Sequence, residues 1–481
     1  MLDLIRRDVG LKFVGEFASR AVFLCFFFYA GRKLGSVEFG NLSLALSSTY
    51  ILSIIFLDPG LNLSTIQLLV SNKERAGNTA SVIFTSKLLL CLPLMFSVWL
   101  LSRAFTTRLP SFWILFLATL YAVFTAILEY LACITNAFHR MDLEAMFKIV
   151  NRFSIVLFCA LALRIERSTA AVLWAMWLST FAACVLAWIL LKRQLVSIYL
   201  AWTYATIKEA VRIGLPIAGT MMIMIVYLKW DILVLSYFNI GRQEIGWYAG
   251  AFKITEAFTA LPSILATGLF PIMVQLRLEN PDALNRILRT ATKAVLLFSI
   301  PTAAAISLFS RPIIMLVYGR AFAPGANVLA VLIWCIVPMF LYFYLIYVNV
   351  AAGHATFNLI AGCVALIAGL IANTVLVPRL GYIGAAWAAL IANTSFALLA
   401  AWKVCGLFRS ASIAPMLLKL LAAGALMITV GFFTPATMEV QFGLAMLVYV
   451  IVLMSVGVVG SEDVSLLVRI LQIRVRPSAQ A

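Results

Sequence analysis

The sequence predicts an all-α, polytopic membrane protein of about fourteen transmembrane helices, arranged as two parallel six-helix repeats followed by two further helices. Three observations predict it. Hydrophobic residues make up 64% of the 481 residues and charged residues only 11%, with a mean hydropathy of +1.05, whereas about a quarter of the residues in soluble domains are charged. The apolar residues fall in continuous runs of about 18 to 30, and a spanning helix needs roughly 20. Passages of the first half also recur in the second: LGSVEFG at 34–40 answers IGRQEIG at 240–246, and GLNLSTIQLLVSN at 60–72 answers GLFPIMVQLRLEN at 268–280. A membrane barrel is excluded, because its strands would alternate apolar and polar residues. Helices are then the remaining backbone that satisfies its own hydrogen bonds in lipid.

The apolar segments begin near residues 11, 40, 82, 112, 147, 169, 212, 246, 292, 325, 356, 382, 414 and 440. The first follows Arg6, Arg7 and Lys12 like a signal peptide, but Glu16 and Arg20 interrupt it and no small-residue cleavage site follows, so it is expected to be retained. Glu16 and Arg20 are four apart and share a helical face, acid first. Two readings stand for them: a self-neutralised pair, or an Arg20 that faces a central cavity and meets an anionic substrate. The second segment, from about Asn41 to Val70, would be roughly 45 Å long at 1.5 Å per residue, longer than a hydrocarbon core of about 30 Å. Midway it carries Asp58, Pro59 and Gly60. Proline removes a helix donor and clashes with the preceding turn, so the helix should kink or unwind there, as a structural kink or as a gating break.

Segments three to six follow with short connections, and segment four carries the acid Glu129. Next comes KRQLVSIYLAWTYATIKEA at 192–210, which has few helix breakers. It is expected to lie along the membrane surface as a helix, with Trp202 and Tyr204 at headgroup level. Residues 196–210 thus read as a linker between an N-terminal lobe, 1–195, and a C-terminal lobe, 211–405. Six segments per lobe is an even number, so both lobes enter the membrane in the same sense and are related by an axis along its normal. Helices 13 and 14 (406–460) lie outside the repeat, and 461–481 form a short basic tail.

Segments seven and eight hold the charges that most need explaining. Segment seven, MMIMIVYLKWDILVLSYF, carries Lys229 and Asp231; segment eight carries Lys253 and Glu256 and is interrupted at Pro262 and Gly268 before ending at Pro271. An ionisable group in hydrocarbon costs at least a few kcal/mol, so such groups face a bundle interior or a water-filled cavity. Lys253 and Glu256, three apart, share a face and screen each other, whereas Lys229 and Asp231 point in different directions and need partners elsewhere. Segments two and eight are the matched pair with Pro/Gly interruptions, the pattern that points to a binding site between repeats. Breaks near Pro59 and Pro262 would let them bend.

The net charge is +17. With the N-terminus cytoplasmic, both ends are cytoplasmic and about two-thirds of the 36 Lys and Arg fall on that side, the usual bias of membrane proteins. Nucleic-acid binding would need a basic folded face, and no soluble domain is present to carry one. Three cations are counted within spans (Arg20, Lys229, Lys253) against five acids (Glu16, Asp58, Glu129, Asp231, Glu256). The eight cysteines form no CxxC pair and read as small core residues. His139 and His354 lie in connections with no second His or Cys nearby, so no metal site is expected. There is no Walker lysine motif for ATP hydrolysis. No cofactor is expected.

Several passages resemble a known family: GRKLGSVEFGNLSLA, DILVLSYFNIGRQEIGWYAGAFKITEAF, GLFPIM, IPTAAAISLFSRPIIMLVYGRAFAPGANVL and VLVPRLGYIGAAWAALIA. Over about residues 10 to 405 the chain resembles the polysaccharide transporter family, the O-antigen flippase-like branch of the multidrug, oligosaccharidyl-lipid and polysaccharide exporter superfamily. The resemblance implies a V-shaped pair of six-helix lobes in a bacterial cytoplasmic membrane. It implies movement of an undecaprenyl-diphosphate-linked oligosaccharide from the inner to the outer leaflet, with polymerase and glycosyltransferase partners. It also implies a basic cavity, whose matching positions are Arg20, Lys229 and Lys253. Two alternatives accompany it. One is a multidrug antiporter of the same superfamily, coupling to protons or sodium at Asp58, Asp231 or Glu256. The other is a membrane polysaccharide polymerase or glycosyltransferase, for which the short outer connections leave little room.

Overall fold

Backbone N–H and C=O groups find no water in hydrocarbon, so each apolar run closes its own hydrogen-bond ladder as a helix. A computed structural model of the protein describes residues 2–58, 60–71, 75–259, 262, 270, 273–277, 279, 281–404, 413–434 and 438–455; the side chains of 2–20 lie outside it. In order, the helices are α1 (Leu2–Leu57), α2 (Leu61–Ser71), α3 (Ala76–Ala104), α4 (Phe112–Ala137), α5 (Met141–Ile165), α6 (Thr169–Gln194), α7 (Tyr204–Tyr237) and α8 (Arg242–Ala257). They continue with α9 (Pro281–Leu308), α10 (Ser310–Tyr318), α11 (Gly325–Leu332), α12 (Ile336–Ala351), α13 (Ala355–Leu380), α14 (Tyr382–Val404), α15 (Ile413–Phe433) and α16 (Met438–Ser455). Among the described residues, 10 helices are long and apolar enough to cross a membrane, the stretch Ala21–Ser71 counted once although it holds the first two expected segments. The other expected segments correspond to α7, to α8 with its incompletely described continuation, and to the shorter apolar helix Val440–Leu453.

The connection between the first two segments is a single residue. Gly35 takes φ 76° and ψ 173°, a left-handed conformation that glycine adopts without a Cβ clash, and helix resumes at once through Leu57. The break expected midway in segment two is present: α1 stops at Leu57, α2 starts at Leu61, and Gly60 has φ 78°. Pro59 itself lies outside the described residues, as do Gly268 and Pro271 of segment eight; Pro262 is buried. Asp58 caps the restart, accepting from Asn62 N at 3.0 Å and from Asn62 Nδ2 at 2.8 Å. This satisfies one of the orphan donors at a helix N-terminus. The break is also where α7 comes closest, since a Cβ on Gly60 would lie 2.1 Å from the Gly214 carbonyl oxygen.

The chain divides into two compact units. The first comprises Met1–Ala257, Ile314–Val328 and Gly369–Ala388. Within it α1 packs against α8, α5, α4 and α7, and α4 packs against α6. A buried cluster including Leu61, Ile83, Tyr130, Leu131 and Phe147 knits α2 to α5 together, and the Tyr130 hydroxyl donates to Ala80 O at 2.6 Å. Glu38 fixes α6 by accepting from Thr169 N at 2.9 Å and Thr169 Oγ1 at 2.6 Å, a carboxylate at the positive end of a helix. The second unit comprises Phe258–Ile313, Leu329–Ala368 and Ala389–Ala481. In it α9 packs against α12 and α15, and α15 against α16. The Tyr344 hydroxyl donates to Leu288 O at 3.2 Å.

The connection 196–203 departs from expectation. It is extended, not helical, and α7 starts only at Tyr204. Its amides are taken by hydroxyls of α3: Tyr199 N donates to Ser81 Oγ at 3.0 Å and Ala201 N to Thr85 Oγ1 at 3.1 Å. These tertiary hydrogen bonds replace the helical ladder that the local sequence would otherwise favour.

Adding a methyl at the α2–α7 approach tests this packing. Gly60→Ala is expected to lose about 2 kcal/mol or more, from its positive φ and its clash, and to melt at a lower temperature in detergent. Gly219→Ala in α7, where an added Cβ meets nothing within 4 Å, is expected to melt at or above the wild-type temperature.

Candidate functional site

The charges of segments seven and eight meet in the first unit. Glu256 accepts from both lysines, Lys229 Nζ at 3.2 Å on Oε1 and Lys253 Nζ at 2.6 Å on Oε2. The i,i+3 pair expected within α8 is therefore formed, and the partner that Lys229 lacked on its own helix is the same carboxylate. Lys229 lies eight residues before the end of α7 and Lys253 eleven after the start of α8, roughly 12 Å and 16 Å along their axes. Both are therefore near the middle of a hydrocarbon core of about 30 Å. The side chain of Glu256 is 35% exposed and each lysine 19%; since ionisable groups at this depth face a bundle interior or a water-filled cavity, the exposed edge of the cluster is taken as the wall of an internal cleft.

Two further cations, missed in the sequence, sit at the same depth. Arg152 lies midway along α5 with its guanidinium 3.8 Å from the ring centroid of Phe23. No carboxylate among the described residues lies within salt-bridge distance of it. Lys87 lies in α3, 2% exposed; its Nζ donates to Leu57 O at 2.7 Å and is 4.0 Å from Asp58 Oδ1. It thereby covers the carbonyl end of the broken α1. Both are flanked by apolar residues, as in SVIFTSKLLLCL, which is the signal that would have revealed them. Glu129 of α4 is exposed and within electrostatic reach of Asp58, Arg152 and Lys87, and Tyr50, 40% exposed, is within reach of Glu129, Glu256 and Arg152.

The charge balance changes accordingly. Three cations were expected against five acids, and Lys87 and Arg152 raise the cations to five. The described side chains of the cleft are four cations (Lys87, Arg152, Lys229, Lys253) and three acids (Asp58, Glu129, Glu256). Arg20 belongs to the α1 backbone that passes this region, and its side chain and that of Glu16 lie outside the described residues.

Asp231 stands apart from this cluster. Its Oδ2 accepts from the Tyr248 hydroxyl at 2.8 Å and its Oδ1 from Asn373 Nδ2 at 2.9 Å. Among the described residues no cation pairs with it. A carboxylate held only by neutral donors in low dielectric is a site at which a proton or small cation is welcome. Asp58 differs, since it caps α2 and faces Lys87.

Fold and site together define a polytopic α-helical membrane protein with a cluster of charged side chains within its apolar helices. More particularly, the chain belongs to the family described as polysaccharide biosynthesis protein, whose profile matches residues 5–277; the MatE profile matches residues 216–375. Among solved structures it is similar to the lipid II flippase MurJ in an inward closed conformation, with a TM-score of 0.73, 17% identity, and 92% of this chain and 97% of that chain covered. It is also similar to an inward-facing multidrug resistance MATE family transporter of the MOP superfamily, with a TM-score of 0.63, 15% identity, and 82% and 96% covered. A MOP superfamily transporter from Pyrococcus furiosus aligns with a TM-score of 0.53, 15% identity, and 83% and 96% covered. At these identities the likeness is one of fold. No curated protein sequence matches the chain.

Removing the shared carboxylate should expose its structural share. Glu256→Gln leaves two half-buried cations facing each other and is expected to destabilise the protein by about 1 to 3 kcal/mol, less than for a fully buried pair because solvent screens them in part. Adding Lys229→Gln should restore most of the lost melting temperature in a double-mutant comparison, because one repulsive charge is then gone.

Proposed function

We propose that the protein is a flippase that moves an undecaprenyl-diphosphate-linked oligosaccharide from the inner to the outer leaflet of a bacterial cytoplasmic membrane. The observation that carries this reading is the excess of cations among the described side chains of the cleft. Two lysines share one carboxylate, and Arg152 has no acid within salt-bridge distance among the described residues. A phosphate group arriving there is drawn into a low-dielectric site where its charge is matched, with charge-assisted hydrogen bonds from Lys229, Lys253 and Arg152. Arg20 on α1 is assigned to the same site. The glycan occupies the hydrated cleft and the polyprenyl tail stays in lipid. Membership of the polysaccharide biosynthesis family supports the substrate class.

The movement is alternating access by two six-helix lobes, 1–195 and 211–405, with both termini cytoplasmic and the breaks near Pro59 and Pro262 allowing α2 and the continuation of α8 to bend. Polymerase and glycosyltransferase partners would supply and consume the glycan. A coupling role falls to Asp231, the acid without a cation partner, and a proton or sodium ion is the coupled species. Glu256, paired to two lysines, is assigned to the anion site, and Asp58 to the hinge. A multidrug antiporter is the second reading, favoured by the Asp231 site alone; a cationic drug would meet like charges in the cleft.

The test is translocation of an undecaprenyl-diphosphate oligosaccharide in proteoliposomes, scored by access of an impermeant sugar-modifying reagent. Wild-type protein is expected to move it, and Arg20→Ala, Lys229→Ala and Lys253→Ala each to slow it at least tenfold while still inserting. Gradient-driven efflux of a cationic dye without lipid movement would replace this reading with the antiporter. Asp231→Asn is expected to bind substrate normally but lose the stimulation that a proton or sodium gradient gives; equal stimulation in the variant would remove Asp231 from coupling.

A further inference from the structure

Three of the four described cations of the cleft rest on aromatic faces of α1 and α8. Arg152 lies 3.8 Å from the centroid of Phe23, Lys253 Nζ 4.3 Å from that of Phe27, and Lys229 Nζ 5.1 Å from that of Phe252. All three distances are within the range of a cation–π interaction, about 6 Å. Phe23 and Phe27 are four residues apart and so share one face of α1, packed edge to face with centroids 4.9 Å apart. Phe252 adjoins Lys253 on α8. One strip of α1 and one turn of α8 thus supply a ring for each of Arg152, Lys253 and Lys229.

A ring and a carboxylate hold a cation in different ways. A carboxylate neutralises it, so an incoming anion must displace a full opposite charge. A ring replaces part of the lost hydration through its quadrupole but leaves the net charge in place. We propose that Phe23, Phe27 and Phe252 are a standby site for Arg152, Lys253 and Lys229: Glu256 brings one negative charge to the two lysines together, the rings hold the charge it leaves over and that of Arg152 while no substrate is bound, and the cations are then released to the substrate's phosphate groups. The inference rests on the anion-binding reading above and deepens it. The rings compete with the phosphates for the same cations, so they lower affinity in the bound state and speed release after translocation. In the resting state they keep the cations desolvated, charged and close to their working positions, which reduces the ordering required on binding. A transporter must let go of its cargo, and a ring is an opponent weak enough to be displaced and strong enough to reclaim the cation.

This assigns the rings and the cations opposite effects on affinity. The experiment measures binding of inorganic pyrophosphate to the purified full-length protein by calorimetry. Pyrophosphate is expected to bind the wild type, and Lys253→Gln to weaken it at least tenfold. Replacing Phe27 with 3,4,5-trifluorophenylalanine keeps the shape but drains the ring face of negative potential, and is expected to tighten binding about threefold to tenfold. Phe27→Trp, whose face attracts cations more strongly, is expected to weaken it by a similar factor. Wild-type binding that is lost in Lys253→Gln but unchanged or weakened by fluorination would overturn the standby role and leave the rings as packing. Absence of wild-type binding, or full binding by Lys253→Gln, would overturn the anion site itself and the inference with it. The fluorinated protein should melt near the wild-type temperature, which separates the electrostatic effect from misfolding.

Discussion

A charge withdrawn from water must be balanced by what surrounds it, and Glu256 balances two at once. That one carboxylate joins α7 to α8 at mid-membrane, where each lysine alone would be costly. Because it is shared, it does not fully neutralise both lysines, and in the proposed function the charge left over is what draws the phosphate. On that reading stability and affinity draw on the same residue. Any change at Glu256 acts on both, and separating them requires the paired substitution of a lysine.

The cleft has a second, quieter electrostatic element at the break between α1 and α2. There the carbonyl end of one helix meets Lys87 and the amide end of the next meets Asp58. A helix interrupted inside a membrane leaves both kinds of backbone group unsatisfied. Here one cation and one anion complete them and lie 4.0 Å apart. The same two side chains thus serve the backbone and contribute to the potential of the cleft. Asp58, one of the acids the sequence offered for ion coupling, is engaged with its own chain, whereas Asp231, two residues from a lysine, is paired among the described residues with the neutral donors Tyr248 and Asn373.

Much of the fold was legible because lipid leaves so few alternatives. Apolar length alone located the segments, and a proline between Asp58 and Gly60 foretold the break. The i,i+3 pairing of Lys253 with Glu256 followed from helical spacing. What escaped depended on tertiary context. Lys87 and Arg152 were passed over although apolar residues flank both, because α3 and α5 begin at Ala76 and Met141, earlier than the apolar runs, and so place them at mid-depth. Asn373, the partner of Asp231 142 positions away, has no local signal at all. The connection 196–203 has no proline or glycine to break a helix, yet its conformation is set by two hydroxyls on α3.

That connection has a mechanical consequence. Of the nine residues between Gln194 and Tyr204, those at 199 and 201 are pinned by their amides to Ser81 and Thr85. The free leash before α7 is therefore only Trp202 and Thr203, less than one turn of slack. The foot of α7 cannot slide along α3; it can only swivel about Ala201. A helix tethered so tightly at its base turns small rotations there into larger sideways displacements further along it, where Lys229 and Asp231 sit, in the manner of a lever.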